Sequence, residues 1–446
     1  MSEISTKPPS GMRDFLASDV ARRRHVLGVV QRVYESFGFV PLETPTIENL
    51  STLLGKYGPE GDQLLYRILH RRERLQRALA AGTPGELDLA DEGLRYDLTV
   101  PLARVVANYR DLPAYYKRYQ IQPVWRADRP AKGRFREFWQ CDVDITGTTS
   151  VVADAEVCGA VAMVLRELGF TDFKILLNHR ELLRSLVATA GIAPEQEGLA
   201  LVVIDKLDKV GVDGVRSELA AKGVEPAKVD ALLATLDAAR QPDMLRTTAA
   251  GDGDGSRGAR ELLALLGAAA DGPAGPHLQF DPSLARGLSY YTGPIFEISV
   301  AGLAGSMGGG GRYDNLIGMF QKQPIAAVGF SLGLERVLLV MEERGMFPPL
   351  GVGPQVLLCR MDTASAQQAI KVATALRAQG LRVEVFADDK PLGKQLAYAD
   401  KIGAPFAAVL GPAELAAGTV ALKHLQSGAQ VTVPIADVAV QVAKRS

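Results

Sequence analysis

Between Ala285 and Asp314 the chain places an arginine, two adjacent tyrosines and a run of glycines around one short apolar alternation. Arg286 comes first, then Tyr290 and Tyr291, then a turn on Gly293 and Pro294. Phe296, Ile298 and Val300 alternate with Glu297 and Ser299, which predicts a strand. Gly308 to Gly311 follow, read here as a loop that lets backbone approach a ligand closely, with Arg312, Tyr313 and Asp314 directly behind. Arginine binds carboxylate and phosphate through a planar fork, so this set suits a polar, anionic ligand that carries a ring.

Three more stretches hold chemistry. Residues 116–146 predict a long hairpin, with arms Tyr116 to Arg126 and Arg136 to Ile145. On its second arm Trp139, Cys141, Val143 and Ile145 point one way, and Phe138, Gln140, Asp142 and Asp144 the other. Two carboxylates and an amide on one face are costly to bury unless they bind something. The connection, with Asp128, Arg129, Lys132 and Arg134, is too long and too basic for a simple turn. Pro123 in the first arm counts against a central strand. Residues Leu94 to Pro101 read as a strand with Arg95, Asp97 and Thr99 on one face. A carboxylate beside a hydroxyl there can receive an ammonium group. Residues 325–342 read as a small-residue strand running into a helix, with Arg336 near the junction.

The elements that must carry these residues fall into a clear order. A helix is predicted over 20–37 from the spacing of Val26, Val30, Val33 and Phe37, and an extended, proline-bearing segment follows over 39–48. From about Asn178 to Gly275, alanine, leucine and charges predict an inserted set of short helices. Gly251 to Gly255 lacks the spaced ligands of a calcium loop and reads as a linker. Gly345 to Pro354 is rich in Gly and Pro. Beyond it β-α-β-α alternation predicts a compact α/β domain with a largely parallel sheet.

Composition narrows the class. The chain has 446 residues, enough for two or three domains, and 47% hydrophobic content permits large cores. Lys plus Arg number 50 and Asp plus Glu 51, so any nucleic-acid contact must come from clustered basic residues. Cys141, Cys158 and Cys359 are far apart, which disfavours a disulfide framework or thiolate zinc site and fits a reducing, cytoplasmic setting. No histidine cluster suggests a resident metal, and no apolar run is long enough for a membrane span.

Several of these stretches resemble one family. Val124-Trp125-Arg126 with Asp128, Arg129 and Pro130, then Gly133 to Asp144, closely resemble motif 2 of histidyl-tRNA synthetases. The Arg286–Gly293 stretch with Gly309–Asp314 resembles their paired histidine-specific motifs. Gly333-Leu334-Glu335-Arg336 resembles class II motif 3, and residues 20–48 resemble motif 1, which forms the dimer interface in that class. The resemblance runs from about Gly11 to Lys444. It implies an α+β architecture: a class II catalytic domain over 1–345, an antiparallel sheet flanked by helices with a helical insertion about 178–275. A linker over 346–354 and a C-terminal α/β anticodon-binding domain over 355–446 complete it.

The implied activity is two-step: histidine and ATP give histidyl-adenylate and pyrophosphate, and the histidyl group passes to the 3′ end of tRNA(His). By the same resemblance Arg126 and Arg286 act at the α-phosphate. Asp128, Arg134 and Arg336 hold the rest of ATP. Asp97, Thr99 and Gln140, with Leu98 alongside, hold the substrate ammonium. Asp144 and Tyr291 read the imidazole, with Tyr290 and Tyr313 lining the pocket. Mg²⁺ is expected with the ATP phosphates, and a homodimer by analogy. One departure stands out: Ser289 occupies a position where the family commonly has Asp. Three rivals are set aside on residues. A regulatory paralogue of histidine biosynthesis would lack the tail or some of Arg126, Arg286 and Arg336. A synthetase for another small amino acid would lack the double-tyrosine stretch. A ligand-free dimerisation module would not bury polar strand faces.

Overall fold

The computed structural model describes residues 4–241, 243–285, 290–303, 305–361 and 365–445. Two compact units emerge, one of Met1–Asp14 with Arg23–Met346, the other of Phe15–Arg22 with Phe347–Ser446.

Among the described residues the larger unit holds eleven strands: β1 (Val40–Pro41), β2 (Ile47–Asn49), β3 (Arg67–Leu69), β4 (Ala90–Leu94), β5 (Tyr116–Trp125), β6 (Glu137–Thr146), β7 (Phe173–His179), β8 (Leu278–Phe280), β9 (Pro294–Val300), β10 (Gly308–Arg312) and β11 (Ala327–Gly333). Eight form one sheet in the order β1-β5-β6-β11-β10-β9-β7-β8. Its six central strands are antiparallel, and a parallel pair closes each edge. The predicted hairpin is β5–β6, with Arg118 opposite Asp144 and Gln122 opposite Gln140. Pro123 is accommodated because β1 covers β5 only at Arg118 and Tyr119, so that no strand needs the missing N–H further on.

The apolar face of β6 is a core surface: Cys141, Val143 and Ile145 are fully buried. The helix Val151–Glu167 lies behind the sheet and buries Val157, Cys158, Val161, Val164 and Leu165. Ser150 starts it by accepting from the N–H of Val152 at 3.3 Å. The helix Ala17–Ser36 buries Val26, Val30 and Val33 as the periodicity predicts, with Val29 and Tyr34 besides, and ends before Phe37, which is only partly buried.

Three expectations need correction. The stretch 94–101 is not a strand: β4 ends at Leu94 and a helix runs Thr99–Asn108. Asp97 Oδ1 accepts the N–H of Val100 at 3.0 Å, and Pro101 falls within the first turn, where a missing N–H costs nothing. The glycine run is not a loop but β10, in the middle of the sheet. A β-carbon at Gly308 would meet Ser331 O at 2.4 Å, and one at Gly310 would meet Gly329 O at 2.0 Å. Glycine is required there because neighbouring backbones occupy the side-chain space. The linker over 251–255 is shorter than expected: Gly251 to Gly253 join two helices, and the helix Asp254–Ala269 has begun by Asp254.

Between β7 and β8 lie helices over Arg180–Thr189, Pro194–Ile204, Leu207–Ala221, Pro226–Ala238 and Met244–Ala249, then Asp254–Ala269. Several of them share a core of Leu183, Val187, Leu201, Leu219, Leu232 and Leu236. The last, at 16 residues, is not short as expected and packs against Val151–Glu167.

The smaller unit holds β12 (Val356–Arg360), β13 (Val383–Val385), β14 (Phe406–Leu410), β15 (Thr419–His424) and β16 (Gln430–Pro434), in the order β13-β12-β14-β15-β16. The first three are parallel, as the β-α-β pattern predicts. β15 and β16 are antiparallel, so the sheet is only partly parallel. Val356, Leu358, Phe406, Ala408 and Leu422 form its core with Ala369, Val372 and Leu376 of the helix Ala366–Ala378.

One buried ion pair ties β10 to the helix behind it. Arg312 donates to Asp154, and also to Thr148 O at 2.8 Å and Ser150 O at 3.4 Å. Burial lifts the Asp154 carboxyl to about 6 in spite of that guanidinium. Arg312→Ala should leave Asp154 buried and unpaired, at a cost of roughly 3–5 kcal/mol. Urea unfolding measures this, and a loss under about 1 kcal/mol would match only an exposed pair.

Candidate active site

The sheet's polar face opens into a cleft of about 1020 Å³. That is the upper end of the usual range for small-molecule sites, enough for a nucleotide beside an amino acid. Of the residues singled out above, Asp97, Thr99, Arg126, Asp128, Arg134, Gln140, Asp144, Tyr290, Tyr291, Tyr313 and Arg336 all line it. They come from β5, β6, β9–β11 and their connections, hundreds of residues apart. Leu98 does not join them. It is fully buried, and its carbonyl accepts from Arg118 at 3.1 Å. Arg286 and Ser289 lie outside the described residues.

The floor is a buried charge cluster. Asp142 and Asp144 project from β6 with Gln140, as the alternation predicts. Arg118, from β5, has no solvent exposure and stands 2.9 Å from Asp144 Oδ2. The pair is at ion-pair distance but outside hydrogen-bond alignment. Tyr313 donates its hydroxyl to Asp144 Oδ1. Gln140 donates to Ser331 Oγ at 2.6 Å, and Ser331 hydrogen-bonds Asp142. Asp97 accepts from Tyr57 OH at 3.1 Å and from Tyr290 OH at 3.4 Å. Tyr290 packs edge-on against Tyr291 and Tyr313, with ring centroids 5.0 and 6.0 Å away.

Three carboxylates thus face two guanidinium groups, Arg118 and Arg126. Burial raises the Asp97 and Asp144 carboxyls above the ordinary range, against the pull of those arginines. Asp142 is pushed up to about 8, by burial first and by neighbouring Asp144 as well. Gln140 Oε1, Asp142 Oδ1 and Asp144 Oδ2 are buried without a hydrogen-bond partner. All can accept, so a ligand that brings hydrogen-bond donors suits this floor.

The outer cleft has the opposite character. Arg126 lies over the Tyr96 ring at 4.2 Å and the Phe138 ring at 5.1 Å, and its Nε donates to Tyr96 O at 3.1 Å. Among the described residues it makes no ion pair, so its fork can take an anion. Arg134 is half exposed, 4.0 Å from Asp128. Arg336 donates to Ser306 O. Glu335 beside it is structural: it accepts from Arg23 at 3.0 Å and from the N–H of Trp139 at 2.9 Å.

Sequence reasoning missed Arg118, Tyr57 and Ser331 as parts of the site. Arg118, Gln120 and Gln122 alternate along β5, so their shared face was readable. What was not readable was the register that sets Arg118 opposite Asp144.

Two outcomes follow from this geometry. A β-carbon at Gly329 would fall 1.9 Å from Asp144 Oδ1. Gly329→Ala should therefore displace the carboxylate and raise the KM of the inner ligand about tenfold or more, with far less effect on the nucleotide. Equal effects on both would place Asp144 elsewhere in the reaction. The second concerns pH. An aspartate in the unfolded chain loses its proton near ~4, whereas Asp142 holds it to about 8. The folded state binds more protons across that window, so stability falls as pH rises from about 4 to about 8. Asp142→Asn cannot titrate, and denaturant melts across this range should show a flatter decline than the parent's. An identical slope would mean Asp142 is ionised throughout.

Comparison with known proteins gives consistent matches. A family model described as histidyl-tRNA synthetase matches residues 11–337, and one described as anticodon binding domain matches residues 355–445. A histidine–tRNA ligase of Gloeobacter violaceus is 39% identical over 100% of this chain and 99% of its own. One of Cytophaga hutchinsonii is 41% identical over 96% and 98%. The crystal structure of histidyl-tRNA synthetase from Nostoc superposes with a TM-score of 0.79 at 30% identity, covering 100% of both chains.

Proposed function

The chain belongs to the histidyl-tRNA synthetase family, and from that premise we propose how its residues divide the work. The protein is a histidine–tRNA ligase: it activates histidine with ATP and transfers it to the 3′ end of tRNA(His). The observation that carries the site assignment is the set of buried acceptors without a hydrogen-bond partner, Gln140 Oε1, Asp142 Oδ1 and Asp144 Oδ2, the last at ion-pair distance from Arg118. Histidine matches them with three ammonium donors and a ring N–H.

In this proposal Asp97, Thr99 and Gln140 take the ammonium. Asp144, held by Tyr313 and Arg118, accepts from the imidazole, and Tyr290 and Tyr291 close over the ring. The substrate carboxylate is the nucleophile, so the chain supplies no covalent intermediate. Its oxygen forms a bond to the α-phosphorus as the bond to the bridging oxygen breaks, and pyrophosphate leaves. Arg126 and Arg286 neutralise the two anions as they meet and the charge that grows between them. Asp128, Arg134 and Arg336 hold the nucleotide. A hydroxyl of the terminal adenosine then attacks the histidyl carbonyl and AMP leaves.

Mg²⁺ belongs to the proposal too. Among the described residues no group of three His, Cys, Asp or Glu could hold a metal ion. We infer a hydrated ion that arrives with the phosphates and would help neutralise them, held by few ligands of this chain. We assign residues 1–345 to catalysis, with the insertion about 178–275. Residues 346–354 link this part to residues 355–446, assigned to anticodon recognition. The proposed homodimer uses the proline-bearing edge, where Val40 and Ile47 are half exposed. A cytoplasmic setting fits three buried, unpaired cysteines. No single helix is long and apolar enough to cross a membrane among the described residues.

The test is amino-acid-dependent ATP–pyrophosphate exchange with all twenty amino acids, which should respond to histidine alone. Asp144→Asn keeps the shape of the floor but weakens the acceptor. It should cost roughly 1–3 kcal/mol in histidine affinity, with the ATP KM little changed. Exchange driven by another amino acid, or an unchanged histidine KM in the variant, would refute the assignment.

A further inference from the structure

The connection from β5 to β6 carries Asp128 and Arg134 into the cleft. At its base the N–H of Arg126 donates to Arg136 O at 2.9 Å. At its tip Ala131 and Arg134 exchange backbone bonds of 3.1 and 2.9 Å. Lys132 meets Glu343 at 2.6 Å, but both side chains are exposed and such a pair contributes little. Further fastening comes from residues 9–13, far away in sequence.

One arginine of the connection joins the two segments. Gly11 O accepts from the N–H of Arg136 at 2.8 Å, and Ser10 O accepts from its Nη1 at 3.4 Å. Arg136 Nε donates at the same time to Asp128 O at 3.0 Å. Gly11 is left-handed, with φ +81°, and a β-carbon there would meet Arg136 Cγ at 2.8 Å and Pro130 Cγ at 3.0 Å. A residue without a side chain is what lets the N-terminal segment lie this close.

Two residues on, Arg13 sets its guanidinium over the Phe135 ring, 3.3 Å from the centroid. Its Nη2 also stands 3.9 Å from Glu335 Oε1. Phe135, Glu335 and Arg336 line the cleft, and Arg13 does not. Glu335 is a fixed point in the first turn of the helix Leu334–Glu343, because it is buried and already accepts from Arg23 and from the N–H of Trp139. Arg13 therefore spans two elements that each carry a cleft arginine: Phe135 adjoins Arg134, and Glu335 adjoins Arg336. The flat stack is the stronger of its two contacts, since a partly exposed ion pair at 3.9 Å contributes little.

We propose that Arg13 is a positioning residue for the nucleotide, which rests on the ligase reading above. It touches no substrate. From outside the cleft it clamps the β5–β6 connection to the start of the helix Leu334–Glu343, and so sets the spacing between Arg134 and Arg336. Gly11 and Arg136 hold the N-terminal segment where Arg13 can reach.

The test is histidine-dependent ATP–pyrophosphate exchange by the full chain carrying Arg13→Ala, Arg13→Lys or Gly11→Ala. Arg13→Ala should raise the KM for ATP about tenfold, with the histidine KM and the rate at saturating ATP near the parent's. Arg13→Lys keeps a charge towards Glu335 but has no planar group to stack, and should behave like the alanine variant. Gly11→Ala displaces the segment while leaving Arg13 in the sequence, and should move the ATP KM the same way. An ATP KM at the parent's value in any of the three would overturn the proposal. So would equal rises in both KM values, or a lowered melting temperature with no change in ATP KM, since either marks a merely structural contact. Lack of histidine-dependent exchange in the unaltered protein would refute the ligase reading itself, and this inference with it.

Discussion

A guanidinium sealed from water in the middle of a sheet is the constraint around which the active site is arranged. Arg118 is fully buried and sits 2.9 Å from Asp144, with Asp142 next to it. Removing such charges from water costs several kcal/mol for each ion, so neither group is tolerable without the other. That mutual need fixes the β5–β6 register, because a slip of one residue would turn Arg118 to the opposite face. It also fixes β11 at Gly329, where the carboxylate fills the space a side chain would take. Tyr313 completes the arrangement from the end of β10.

The glycine-rich strand serves the same arrangement from the other side. Side chains on β10 would strike the backbones of β9 and β11, so the strand carries almost none and the sheet closes up beneath the cleft. At its end Arg312 and Tyr313 turn to opposite faces, as adjacent strand residues do. Arg312 anchors the helix behind the sheet, and Tyr313 serves the pocket in front. One dipeptide thus joins the supporting layer to the chemistry.

Much of this was legible in the sequence, and the reasons differ between residues. The β6 alternation was clear because one face is wholly apolar and the other carries Gln140, Asp142 and Asp144 in succession. The hairpin, the helix 20–37 and the β-α-β tail followed from periodicity. The stretch after Leu94 misled because Asp97, Thr99 and their apolar neighbours also alternate, while Asp97 in fact accepts from a helix N-terminus. The glycine run misled because local propensity favours a loop, and only tertiary crowding makes it a strand. β15 and β16 carried weaker signals than the parallel units before them. The role of Arg118 depended on a pairing register that no local pattern contains.

The pocket is also assembled from very distant parts of the chain. Tyr313 meets Asp144 across 169 residues, Gln140 meets Ser331 across 191, and Arg23 meets Glu335 across 312. Chains grow from the N-terminus at roughly 5–20 residues per second, and pairings across long separations form slowly. When the ribosome has released β6, Asp142 and Asp144 still lack the strand that will pack beside them. Their carboxyl groups can be sealed only after β9 to β11 emerge. For many seconds of each synthesis cycle the hairpin is therefore an open sheet edge with its polar face in water. A translational pause between Thr146 and Gly333 lengthens that exposure, whereas one after Glu343 does not.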